Sequence, residues 1–149
     1  MPPIMADHDI EGHLQVLLQL LKSEEWHALW NELTYNIESF ESLGITYNTS
    51  DLDLWRLCQE RQIVLITANR NITGPESLES PLQQVNAPSR LPVLTIAAPN
   101  HILSNRDYAQ QVVNRLLEYL IDADNVRGTG RLYLPDSKET PFTISRGSQ

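Results

Sequence analysis

Three short runs in this 149-residue chain carry side chains able to do chemistry. Asp7-His8-Asp9 follows a brief apolar stretch, Asp51 stands at a helix start signal, and Asn69-Arg70-Asn71 closes an unbroken apolar run. Carboxylates that converge from separate elements repel one another unless a cation sits between them. A ligand set made of oxygen alone suits Mg2+ or Mn2+. Asp7, Asp51 and Asn69 are therefore the candidate metal-holding residues. His8, Asp9, Arg70 and Asn71 are candidate accessories beside them, as are the more distant Asp122 and Asp124. Each also has a structural reading. Asp51 after Thr49-Ser50 could be a helix cap or first-turn residue, and Asn69 and Asn71 could simply form a turn. Asp122-Ala123-Asp124 could be a solvated helix end, although negative charge there opposes the helix dipole. An acid placed directly after a buried strand is costly unless paired, which singles out Asp7.

These groups need elements to hold them. Pro2-Pro3-Ile4-Met5-Ala6 reads as a buried strand that delivers Asp7 at its carboxyl end. Ile10, Leu14, Leu17, Leu18 and Leu21 fall on one helical stripe, with Asp9 as the expected N-cap. A second short helix runs through Trp26, Leu29, Trp30 and Leu33, and a short strand is expected around Tyr35, Ile37 and Phe40. Thr49-Ser50-Asp51 opens a helix that carries Leu54, Trp55, Leu57 and Cys58 up to Arg61. Ile63-Val64-Leu65-Ile66-Thr67 is a strand covered on both faces, and Pro92-Val93-Leu94-Thr95-Ile96 is another. Gly74-Pro75 breaks the chain before a modest helix over residues 76–85. A long helix spans about residues 105–122, and Arg131-Leu132-Tyr133-Leu134 forms an edge strand ended by Pro135. The alternation predicts a three-layer α/β sandwich with a mainly parallel central sheet of four to five strands. Residues 1–136 make one domain, and residues 137–149 form a polar tail expected to be disordered. Ligands of such sheets gather at the carboxyl ends of the strands, where Asp7-His8-Asp9 and Asn69-Arg70-Asn71 both fall.

The pattern resembles the PIN-like nuclease superfamily, in its short single-domain bacterial branch. The resemblance rests on Ala6-Asp7-His8-Asp9-Ile10, then on Asp51, Leu54 and Cys58, then on Ile63 to Ile66 followed by Thr67-Ala68-Asn69-Arg70-Asn71. With the late Arg127-Gly128-Thr129-Gly130-Arg131-Leu132 segment, it is similar to a cyanobacterial-type subgroup. It covers roughly residues 3–71 with motifs and the remainder by topology. The family has aspartates where this chain has Asn69 and Asn71, and an acid where it has His8. An amide oxygen can ligate Mg2+, but it adds no charge and cannot act as a general base.

Two functions follow from the resemblance. In the first, the chain is a Mg2+- or Mn2+-dependent endoribonuclease acting on single-stranded RNA, with a degenerate acidic site and weak or lost activity. Asp7 and Asp51 hold the metal, Asn69 completes its shell, and Arg70 approaches the phosphate as a bidentate fork. Related toxins pair with an antitoxin, so an antitoxin-like protein partner is implied. In the second, the site is silent and the domain binds a protein partner or pairs with itself as a homodimer.

Charge and composition bound these readings. Eleven basic against nineteen acidic residues leave a net charge of −8, which repels a phosphate backbone at long range and disfavours a nucleic-acid coating protein. Nine of the basic residues are arginine; the two lysines, Lys22 and Lys138, are not placed as a response-regulator receiver needs. Cys58 is the one cysteine, which excludes an intrachain disulfide and a thiolate metal cluster. It sits mid-helix on the apolar side and reads as an inert buried thiol. His13, His27 and His101 lack zinc spacing, Asp53 reads as a surface residue, and Trp26, Trp30 and Trp55 read as core aromatics. The N-terminus lacks the basic and apolar regions of a secretory signal. No run approaches about eighteen apolar residues, so no membrane span is expected and a cytoplasmic setting is.

Overall fold

The computed structural model describes residues 2–23, 26–33, 36–68 and 90–135. Five strands, β1 (Ile4–Ala6), β2 (Ile37–Glu38), β3 (Val64–Ala68), β4 (Val93–Ile96) and β5 (Arg131–Leu134), form one sheet. They lie in the order β2-β1-β3-β4-β5, and every neighbouring pair is parallel. Parallel strands are buried on both faces, which is why β1, β3 and β4 appear in the sequence as unbroken apolar runs.

Six helices are described: α1 (Glu11–Leu21), α2 (His27–Leu33), α3 (Phe40–Leu43), α4 (Asp51–Arg61), α5 (Pro99–Ser104) and α6 (Arg106–Ile121). Alternate strand residues divide between two layers of them. Ile4, Ala6, Val64, Ile66, Leu94 and Ile96 meet the apolar stripes of α1 and α6 on one face. Met5, Leu65 and Val93 meet Phe40, Leu54, Trp55 and Cys58 on the other. The protein is thus a three-layer α/β sandwich around a five-stranded, all-parallel sheet, as the strand and helix alternation predicts. Among the described residues, no helix is long and apolar enough to cross a membrane.

Connections β2→β3 and β4→β5 step toward the same edge of the sheet. The first passes over the Met5 face through α4, and the second over the Ile4 face through α6. The two crossovers therefore have opposite hands, although about 98% of such connections are right-handed. The stripe of Ala109, Val112, Val113, Leu116, Leu117 and Leu120 is buried in one cluster with α1, not with α4.

Local corrections concern caps and short elements. The helix after β1 starts with a 3-10 turn, His8–Ile10, whose cap is Asp7 and not Asp9. Ile10, at the N-cap of α1, makes no side-chain cap. Phe40 opens α3 instead of belonging to a strand. Ser39 and Ser42 cap that turn reciprocally, and Gly44 ends it at φ +70°, a left-handed conformation that favours glycine. α5 begins with Pro99 at its first turn, where the missing N–H costs nothing. The helix expected over residues 76–85, the tail over 137–149 and the Asn69-Arg70-Asn71 run lie outside the described residues.

Candidate functional site

Strand β1 stands where the strand order reverses, since the chain leaves it for β2 on one side and returns past it to β3 on the other. Open α/β sheets bind ligands outside the carboxyl ends of their strands at this position. Asp7 occupies it. Its backbone N–H donates to the Ile66 carbonyl at 2.9 Å, extending the β1–β3 ladder by one residue. Its side chain is buried, at 5% exposure, and Oδ1 accepts the His8 N–H at 2.7 Å. Alternation along β1 puts Asp7 on the Met5 face. Its negative charge contributes, after burial, to pushing the Cys58 thiol up to about 12.

Asp51 reaches the same end by chain geometry. α4 has eleven residues, a length of about 16 Å, and returns directly into β3, which is about as long. The first turn of α4 therefore stands level with the carboxyl end of β3. Ser50 caps it, its Oγ accepting the Asp53 N–H at 3.1 Å, so Asp51 is the first helical residue and not the cap. Asp51 shares its stripe with Leu54, Trp55 and Cys58, the buried face of the helix. Asp53 is exposed. Asp7 and Asp51 are thus brought to one end and one face of the sheet. Asn69 follows Ala68 in sequence and lies outside the described residues with Arg70 and Asn71.

Asp122 and Asp124 do not belong to this site. The first ends α6 and accepts a bond from Asn125, and the second pairs with Arg127 at 3.0 Å. Arg127 also donates to the Gln62 side chain at 2.8 Å, beyond the far end of α4 from Asp51. Both acids therefore stand at the amino ends of the strands. A helix that feeds a parallel strand must end there, so the topology itself removes them.

His8 is committed to aromatic neighbours. Its ring meets Phe40 edge-on at 5.9 Å and Tyr47 at 5.3 Å, and its Nδ1 lies 3.3 Å from Asp9 Oδ1. Tyr47 in turn lies 5.2 Å from Phe40 and is 59% exposed. The charge of Glu11, and to a lesser degree that of Glu41, holds the tyrosine proton above its ordinary range.

Sequence reasoning passed over a buried polar row on the same sheet face. Thr67 and Thr95 are register partners whose hydroxyls meet at 3.0 Å, and Arg131 donates to Thr95 from the edge strand. Asp7 continues this row, since Ala6 is the partner of Ile66 and the next pair is Asp7 with Thr67. A threonine inside each of two otherwise apolar runs was the available signal. The reach of Arg131 across β4 left no trace in the sequence.

Among the described residues, no three of His, Cys, Asp and Glu come together as a metal cluster. Two carboxylates from separate elements suit Mg2+, which takes one or two carboxylates and keeps its waters, and do not suit a closed zinc cage. The fold and site define an α/β protein with helices on both faces of a parallel sheet and two acids, Asp7 and Asp51, toward the carboxyl end of its strands. No protein-family model, curated protein or solved structure matches the chain.

Proposed function

We propose that this chain is a PIN-like, divalent-metal-dependent endoribonuclease of low activity. Asp7 and Asp51 would be its metal-holding residues, Asn69 a neutral third ligand, and single-stranded RNA its substrate. The observation that carries the reading is the buried Asp7 carboxylate at the strand-order reversal, with Asp51 at the same end and face. A bound Mg2+ or Mn2+ would activate water and offset phosphate charge there. Asp7 and Asp51 would set the ion's position. Asn69 would add an oxygen without charge, so affinity is lower than an aspartate in its place would give.

Calorimetric titration with Mn2+ tests this. Binding that disappears in both Asp7→Asn and Asp51→Asn supports it. Asn69→Asp should raise Mn2+ affinity about tenfold, which needs only about 1.4 kcal/mol. The double variant Asn69→Asp with Asn71→Asp should cleave single-stranded RNA faster than the wild type in Mn2+. If that variant folds and binds Mn2+ but leaves RNA intact, the ribonuclease reading fails.

One observation favours a second reading, a silent domain that binds a protein partner or itself. Asp7 Oδ1 already serves as the cap of the following turn. Wild type that neither binds Mn2+ nor cleaves RNA, with Asp7→Asn and Asp51→Asn unchanged in both respects, fits that reading.

A further inference from the structure

An aromatic group stands next to Asp7 at the turn after β1. Phe40 is buried at the start of α3 and His8 is held by the turn after β1, so the two rings form a fixed floor. Tyr47 rests on both, at 5.2 Å and 5.3 Å, and leaves 59% of its surface to solvent. Two carboxylates stand near it: Glu11 lies one turn from His8 and Glu41 follows Phe40, and the negative charge of each disfavours ionisation of Tyr47.

An exposed ring set among carboxylates selects its ligand by charge. The face of an aromatic ring attracts a cation, and neighbouring carboxylates add to that attraction. A nucleobase could stack on the same ring, but its phosphates would then sit against Glu11 and Glu41 on a protein of net charge −8. We propose that Tyr47, seated on Phe40 and His8 and flanked by Glu11 and Glu41, receives an Arg or Lys side chain from a basic segment of a partner protein. This inference does not rest on the ribonuclease reading and involves neither Asp7 nor Asp51.

A fluorescein-labelled (Gly-Ser-Arg)3 peptide and the full chain provide the test, read by fluorescence anisotropy. Tyr47→Leu keeps an apolar side chain but removes the ring, and should weaken peptide binding about two- to fivefold. Tyr47→Phe keeps the ring face and should bind like the wild type. Glu11→Gln with Glu41→Gln should also weaken binding while leaving the ring in place, which keeps the test valid if Tyr47→Leu misfolds. Equal peptide affinity in the wild type, Tyr47→Leu and the double glutamine variant overturns the proposal. So does loss of oligo(U) binding in Tyr47→Leu with peptide binding unchanged, which would make the ring a base platform. Displacement of the peptide by spermidine at matched charge overturns the assignment to a protein segment, because the site would then read charge alone.

Discussion

Asp7 Oδ1 accepts the His8 amide at 2.7 Å, so part of this carboxylate is engaged in starting the turn into α1. Sequence reading alone treats Asp7 as an acid whose neutralisation relieves repulsion. The cap changes the expected outcome. Asparagine keeps an acceptor oxygen and caps as well as aspartate, so Asp7→Asn in EDTA should stay within about 0.5 kcal/mol of the wild type. Asp7→Ala loses the acceptor and should cost about 1 kcal/mol in urea unfolding. Equal stability of the two variants would remove the capping role. Cys58 was legible as an inert thiol because it sits on an apolar helical stripe, and it is fully buried with its Sγ 4.0 Å from Met5 Sδ. Burial and then the Asp7 charge raise its thiol from 9.0 to about 12. From about pH 9 to about pH 12 the unfolded chain releases this proton while the native state keeps it. Native protein then binds more protons, so stability falls as pH rises, by up to about 1.4 kcal/mol per unit. Cys58→Ala loses packing at neutral pH but also loses this slope. The stability advantage of the wild type over Cys58→Ala should therefore shrink between about pH 8 and about pH 10.5, in urea titrations at each pH. A constant difference would show that the thiol ionises alike in both states.

At the scale of elements, long apolar patterns were readable and short polar ones were not. The stripe from Leu14 to Leu21 and the one through Val112, Leu116 and Leu120 repeat over several turns, and both became helices packed in one core. The start of α1 was misread because a 3-10 turn occupies His8–Ile10 and moves the cap two residues toward β1. β2 is two residues long, too short for any alternation to show, and Phe40 beside it belongs to a helix. Asp51 was readable as a helix start because Ser50 precedes it. Its arrival beside the end of β3 depends on equal lengths of α4 and β3, which no local pattern encodes. Gly12 provides an element-scale prediction. It lies in the first turn of α1, and a Cβ there would meet nothing within 4 Å. Backbone geometry does not require glycine at this position, so Gly12→Ala should stabilise the protein by about 0.4–1 kcal/mol through the reduced freedom of the unfolded chain. A thermal melt that drops instead would mean that the space is needed by the fold.

Across the whole molecule, alternation of strands and helices made the parallel sandwich legible, while the path of the chain was not. Handedness rules would send α6 over the same face as α4, and only its packing on α1 shows otherwise. Net charge, by contrast, is read directly from the sequence and acts on every approaching ligand. At −8 the protein repels RNA and attracts a basic peptide. Salt screens both effects, since the Debye length falls from about 30 Å at 0.01 M to about 8 Å at 0.15 M. The two proposed ligands should therefore respond to KCl with opposite signs. Affinity for (Gly-Ser-Arg)3 should fall steadily across this range. RNA cleavage by the Asn69→Asp, Asn71→Asp variant at saturating Mn2+ should rise, because repulsion that slows encounter is screened while the metal stays bound. Proteins that hold nucleic acid through basic residues show the reverse, losing affinity as salt displaces their phosphate contacts. An RNA rate that drops steeply with KCl would mean that a local basic surface, and not the metal site, brings the RNA in. Arg70 would be the first residue to replace in that case, because it stands in sequence beside Asn69 and carries the only basic charge of the Thr67-Ala68-Asn69-Arg70-Asn71 run.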